Sequence, residues 1–316
     1  MRVTPELNIL DTVYVCNQAG GQNTAAVAYN GENYLVVWYD PGLNKGMIAV
    51  RVTPQGAVLD TGNCLGAGDD DPDIAAIGDR GLAVWSRDYY GVCGRFLDRQ
   101  AQPMDTVMLI APIAGSGTTP RIACDGQNYL VVWADFGPGG DLDVFGRLVT
   151  GQGQIPGDIF PVARGTAIQK DPNLCFDGNK YITIWLEDGS RIIGQFIGID
   201  GKLIGGPFLI SDTAIHERQY PALGAVADNY LVVWAEYHGG FDIYAAMGDP
   251  IGIEEKRSAP RRYFPAIIID FRYVPGLEKM RIYDINGRAV SARSMGTGVY
   301  FLRDEDGCLN KIIKVK

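Results

Sequence analysis

The chain has 316 residues, 47% of them hydrophobic and 21% charged, which supplies apolar material for a large core and excludes a mainly disordered state. A net charge of −9 excludes a protein that grips a phosphate backbone through clustered Lys and Arg, so no nucleic acid partner is expected. Forty-one glycines, seventeen prolines, sixteen tyrosines and five tryptophans point to many short strands rather than long helices.

No run approaches the roughly 18 apolar residues that a membrane helix requires, so no membrane span is expected. The opening MRVTPELNIL has no basic segment followed by an apolar one, so no signal peptide is expected within this chain. Cys16, Cys64, Cys93, Cys124, Cys175 and Cys308 are scattered without C-x-x-C spacing, and the chain has two histidines. A structural zinc site is therefore not expected, and the thiols are expected to be mostly free and buried.

In chain order, the first segment, Arg2–Cys16, is a near copy of Arg51–Cys64. The body that follows is built from five copies of one unit. The hexapeptide NYLVVW ends at Trp38, Trp133 and Trp234, and the degenerate copies RGLAVW and KYITIW end at Trp85 and Trp185. The spacings of 47, 48, 52 and 49 residues exceed those of most helical repeats and fit a propeller blade. Each copy opens with a run of small residues, such as TAAVAYN, DIAAIGD or RIACDG, which reads as a first strand. A turn pair follows, as at Asn30-Gly31, Asp125-Gly126 and Asp177-Gly178, and predicts a tight hairpin. The second strand carries the tryptophan and is apolar on both faces, so both must be covered. Third strands are expected around IAVRV, VCGRF, VFGRL, IIGQF and IYAAM, with a fourth beyond them. Stacked four-stranded sheets meet this demand, and the pattern predicts an all-β chain whose residues 1–248 form a five-bladed β-propeller. The fifth copy lacks a fourth strand, so the N-terminal strand is expected to supply it and close the ring.

The period ends at Gly248. Residues 249–264 read as a Pro-rich, charged linker, and residues 265–316 as a small antiparallel, immunoglobulin-like β-sandwich. The charge changes too: residues 1–248 carry 15 basic and 28 acidic side chains, whereas residues 249–316 carry 13 and 9. In this tail Tyr283, Asp284, Gly287 and Arg288, then Gly298 and Tyr300, then the terminal Lys314 and Lys316 form a pattern that resembles the C-terminal sorting domain of type IX secretion cargo. The resemblance covers roughly the last fifty residues. It implies an outer-membrane secretion translocon as a partner, and a secreted or cell-surface location. The repeats themselves resemble secreted bacterial propellers that share an A-V-A-Y-D-G-x-N-Y-L-V-V-W pattern, a resemblance that implies no activity.

No G-x-S-x-G elbow is present, and His216 and His238 read as surface loop residues, so a nucleophilic triad is not expected. The glycine-rich GPGGD and HGGFD occupy equivalent turns rather than phosphate cradles. Asp79, Asp125, Asp177 and Asp228 fall in the first hairpin turn, where a structural role accounts for them. The position two past each tryptophan is different: Asp40, Arg87, Asp135, Glu187 and Glu236 place a charge there in every unit. Residues i and i+2 of a strand share a face, so these charges are the candidate ligand-binding residues at one end of the blades. No cofactor is expected, although with the nearby Asp143 and Asp242 this oxygen-rich set would suit calcium. Equally, the charges could serve only to join neighbouring blades. The expected function is a non-catalytic binding module for a glycan or protein ligand, working as a monomer. The alternative is a glycoside hydrolase, which five-bladed propellers are known to host, with a carboxylate pair in the axial funnel.

Overall fold

The computed structural model describes residues 2–3, 9–16, 21–42, 46–68, 70–87, 90–112, 119–137, 139–212, 215–226 and 229–248, and in the tail 281–284, 289–290, 298–303 and 309–314. These residues form strands and turns, with no helix among them. A short ribbon pairs β1 (Arg2–Val3) with β2 (Ile9–Asp11). Five antiparallel sheets then follow as the blades of a five-bladed β-propeller. The first holds β3 (Asn23–Tyr29), β4 (Tyr34–Asp40), β5 (Gly46–Val52) and β6 (Asn63–Gly66). The second holds β7 (Asp70–Ile77), β8 (Arg80–Arg87), β9 (Gly91–Leu97) and β10 (Met108–Ala111). The third holds β11 (Arg121–Cys124), β12 (Asn128–Phe136), β13 (Leu142–Thr150) and β14 (Phe160–Ala163). The fourth holds β15 (Gln169–Phe176), β16 (Tyr181–Glu187), β17 (Arg191–Ile197) and β18 (Leu203–Leu209). The fifth has three strands, β19 (Arg218–Val226), β20 (Asn229–Tyr237) and β21 (Phe241–Gly248). In the tail, β22 (Arg281–Asp284), β23 (Ala289–Val290), β24 (Gly298–Arg303) and β25 (Leu309–Lys314) make one antiparallel sheet in the order β23-β22-β24-β25.

Contacts divide the chain into two compact units, Met1–Asp188 with Ile193–Phe208, and Gly189–Ile192 with Leu209–Lys316. Within the first unit the two-faced strands are covered as their composition demands. Leu82 through Trp85 of β8 and Tyr129 through Trp133 of β12 are all essentially buried. One face of β8 joins Tyr129, Val131 and Trp133 in a core cluster, while its other face joins Leu35 and Val37 in another. Burying a large apolar side chain stabilises by about 1.5–3 kcal/mol, so these interfaces dominate the energetics.

Polar links are repeated with the blades. Arg95 Nη1 donates to the Leu65 carbonyl at 2.8 Å, and the equivalent Arg147 Nη1 donates to the Ile110 carbonyl at 2.6 Å, each reaching the last strand of the preceding sheet. The hairpin turns behave as their sequence predicts. Asn30, Asp125 and Asp177 each turn a side-chain oxygen onto the backbone N–H two and three residues ahead. Asp228 lies outside the described residues.

A feature with no sequence signature recurs in four first strands. Thr24, Asp71, Asp171 and Tyr220 have φ of 38°, 52°, 53° and 53°. At each, the pairing with the next strand slips by one residue, between Asn23 and Ala25, Asp70 and Asp73, Lys170 and Asn173, and Gln219 and Ala222. These are β-bulges, which re-aim the side chains beyond them.

The expected closing strand is not among the described pairings: the fifth sheet ends at β21, and Ile9–Asp11 pair with Arg2–Val3. Val13, Val15 and Cys16 instead pack against Trp38, Ile48, Val50 and Val52 of the first sheet. The five described cysteines are free, with Cys93 buried and Cys64 exposed; Cys308 lies outside the described residues. Burial pushes the Cys175 thiol up to about 12, aided by the charge of Asp177.

Two glycines separate sterics from backbone strain. A Cβ on Gly46 would lie 2.3 Å from the Gly66 carbonyl oxygen, whereas Gly31, at φ +88°, has nothing within 4 Å. Gly46→Ala is expected to destabilise by about 1–3 kcal/mol through overpacking, and Gly31→Ala by about 1–2 kcal/mol through left-handed strain. Urea denaturation midpoints measure both, and an unchanged midpoint for Gly46→Ala would contradict the packing at this edge.

Candidate functional site

The five charges two past the tryptophans occupy equivalent strand positions but meet different fates. Asp40 is 2% exposed, and its Oδ1 accepts the Gly42 N–H at 2.8 Å. Asp135 is buried and its Oδ1 accepts the Phe136 N–H at 2.8 Å. Glu187 is half-buried and also engaged. Arg87 is exposed, with its guanidinium 4.7 Å from the ring centroid of the exposed Tyr90. Of the supporting acids, Asp143 is buried, its Oδ1 accepting the Gly165 N–H at 3.1 Å and its Oδ2 lying 3.7 Å from Arg164 Nε. Asp242 is the register partner of Glu236 and is exposed.

Glu236 anchors a network of its own. The bulge at Tyr220 leaves Arg218 directly opposite Glu236 in the β19–β20 ladder. The Arg218 side chain is 0% exposed, and its Nε donates to Glu236 Oε2 at 2.6 Å. Its Nη2 donates to Asp212 Oδ1 at 2.5 Å, and its Nη1 donates to the Ser190 carbonyl. The indole N–H of Trp234 donates to Glu236 Oε2 at 2.9 Å. In contrast, the indole N–H groups of Trp38 and Trp185 are buried with no hydrogen-bond partner. Glu236 Oε1 faces away from the guanidinium and lies 2.8 Å from His238 Nε2.

Both histidines of the chain meet here. The rings of His216 and His238 have centroids 4.2 Å apart, and the His238 ring lies 5.5 Å from that of Tyr244, which stacks in turn on Trp234. His216, Glu236 and His238 offer ligand atoms that all lie within 4.8 Å of one another. His216 and His238 lie outside the strands, as the sequence reading of surface loop residues has it, and folding brings the two loops together. A partial signal was present, since His238 is two past Glu236 and four past Trp234, but nothing in the sequence marked His216 or Arg218.

Burial acts to push the Glu236 carboxyl up, yet the hydrogen bonds from Trp234, Arg218 and His238, with the charge of Arg218, outweigh it and hold the group below the ordinary glutamate range. Burial raises the Tyr244 phenol, reinforced by the negative charges of Glu236, Asp242 and Asp212. Among the described residues, Asp73 is a carboxyl moved upward. Burial is the cause, opposed by the backbone N–H groups of Ile122 and Ile74 that it accepts. Of the tail's sorting-pattern residues, Tyr283, Asp284, Gly298, Tyr300 and Lys314 fall on described strands, while Gly287, Arg288 and Lys316 lie outside the described residues.

No protein-family model matches the sequence, and no curated protein matches it. Among solved structures, a protein of unknown function from Dyadobacter fermentans is 10% identical over 75% of this chain and 81% of its own, with a TM-score of 0.54. A subtype N11 neuraminidase-like protein from A/flat-faced bat/Peru is 11% identical over 92% of this chain and 85% of its own, with a TM-score of 0.50. A thermostable family-43 glycoside hydrolase is 11% identical over 79% of this chain and 98% of its own, at a TM-score of 0.43, too low to carry an argument. The first two likenesses define a β-propeller and nothing finer.

Removing one partner strands a buried charge, so Arg218→Ala is expected to cost about 3–5 kcal/mol, whereas the double variant Arg218→Met with Glu236→Gln should recover much of it. Urea midpoints of the three proteins check this. The folded-state values of Glu236, Asp60 and Asp177 are all lowered. Their contribution is therefore present above the unfolded carboxyl values near ~4 and is lost as pH falls through the lower folded ones. Asp73, raised by burial, contributes in the opposite sense, so unfolding free energy measured from pH 7 to pH 2 should hold steady to about pH 5 and then drop as the three lowered groups outweigh the one raised. A rise in stability on acidification would contradict it.

Proposed function

We propose that this chain is a non-catalytic binding module, with its ligand, a glycan or a protein surface, taken at the strand ends where Asp40, Arg87, Asp135 and Glu187 lie. The observation that carries this reading is the state of the carboxyls. A glycosidase needs one carboxylic acid held protonated and a second carboxylate free to attack or to activate water. Here Glu236 is held ionised by Arg218, and Asp40 and Asp135 accept backbone N–H groups. The carboxyl raised by burial, Asp73, serves as a link to Ile122 instead. The exposed Arg87 over Tyr90 is the kind of cationic and aromatic pair that recognises polar ligands by contact rather than by reaction. The hydrolase alternative keeps its place in the test.

The reading extends to the ends of the chain. The fifth sheet lacks a fourth strand among the described residues, and Leu231, Ile243 and Met247 are exposed on it. The four-stranded tail sheet, with its sorting-domain resemblance, is taken as the export signal of a secreted or surface-displayed protein.

The full chain, screened on a glycan array and incubated with the polysaccharides it retains, is expected to bind without releasing reducing sugar. Arg87→Ala should weaken retention by about tenfold, roughly 1.4 kcal/mol. Released sugar would overturn the order of the two readings. Deleting residues 265–316 is expected to leave the protein in the periplasm of its host, and unaltered export would remove the sorting assignment.

A further inference from the structure

We propose that His216, Glu236 and His238 form a binding site for a divalent first-row transition metal ion, with zinc the best fit. Three independent features lead there. First, the chain has two histidines in 316 residues, and folding brings their rings, tilted at 45°, to 4.2 Å apart beside a 3% exposed carboxylate. Second, that carboxylate is held as a metal ligand is held. Arg218 Nε and the Trp234 indole N–H both occupy Oε2, which fixes the group and leaves Oε1 pointing at His238 Nε2. Outer hydrogen bonds of this kind orient the groups that ligate a metal and tune its affinity. Third, the surroundings favour a cation, because Asp212, Glu236 and Asp242 outnumber the single Arg218 by two charges, and all four act on the neighbouring Tyr244.

Ligand chemistry selects the ion. Two imidazoles and one carboxylate suit zinc and its neighbours, whereas calcium and magnesium take oxygen donors. Ligand atoms around a tetrahedral zinc ion at about 2.0–2.2 Å stand roughly 3.3 Å apart. The present pair at 2.8 Å and the overall spread of 4.8 Å need side-chain rotation rather than backbone movement. His238 is exposed and His216 half-exposed, so an ion reaches the site from solvent and water completes its shell. The inference stands on these three residues and holds whether or not the chain binds a glycan.

The test titrates zinc chloride into the chelator-stripped full chain by calorimetry, beside His216→Ala, His238→Ala and the double variant. The wild type is expected to take up one ion at a saturable site, with each single variant weakened by at least about tenfold and the double variant losing the site. Circular dichroism and urea midpoints confirm that the variants fold; if alanine disturbs the sheet, His216→Asn with His238→Gln keeps the side-chain bulk. The chain also has six cysteines, among them the exposed Cys64, as a rival source of uptake. Uptake that survives in the double variant and disappears on thiol alkylation assigns the ion to cysteine and overturns the proposal, as does a wild type that binds no zinc.

Discussion

A strand that is apolar on both faces cannot lie at a surface, and that constraint governs this molecule. Tyr, Val and Trp alternate along one side of the NYLVVW strand while Leu and Val fill the other, so a neighbour is required on each side. In the first unit Trp85 and Trp133 are essentially buried, and β8 contributes to a different core cluster on each face. Repetition is the solution to the constraint rather than an ornament on it. One sheet presents the face that the next must cover, and the same arginine in the third strand, Arg95 or Arg147, satisfies a carbonyl of the sheet before it.

Within that regularity the bulge is what makes chemistry available. One extra residue in the first strand changes which side chains stand opposite the end of the second strand. In the fourth sheet the residue so placed is Gln169, opposite Glu187; in the fifth it is Arg218, opposite Glu236. In the fourth sheet an amide stands opposite the carboxylate, whereas in the fifth a buried guanidinium fixes the carboxylate, pairs with Asp212 and leaves one oxygen beside an imidazole. A single residue difference at one repeated position thus converts a strand end into a charged network.

The fold was legible because its determinants are local and periodic. The tryptophan spacing, the small-residue first strands and the turn pairs each report a short-range requirement, and Asn30, Asp125 and Asp177 perform the turn role that their identity implies. The candidate site was half legible. Glu236 was marked by its place two past Trp234, yet His216 precedes β19 in a link without a repeated counterpart, and Arg218 gains its meaning through the bulge. Neither the one-residue slip nor the φ of 53° at Tyr220 follows from residue type, since a bulky aromatic is among the residues least suited to that backbone. Register decided what periodicity could not.

Comparison of the third and fifth blades shows how closely the histidine is tied to its setting. Gly137 and His238 both stand four past their tryptophan, and both lie in a glycine-rich turn. In the third blade a Cβ on Gly137 would fall 1.9 Å from Asp143 Oδ2, so the buried carboxylate itself occupies the space that a side chain would need. In the fifth blade the corresponding acid, Asp242, is exposed, and the inward carboxylate comes instead from Glu236, one methylene longer and held by Arg218. The turn that carries the histidine thus faces an exposed acid on the third strand, and the imidazole takes as its partner the carboxylate of the second strand, Glu236, through Oε1.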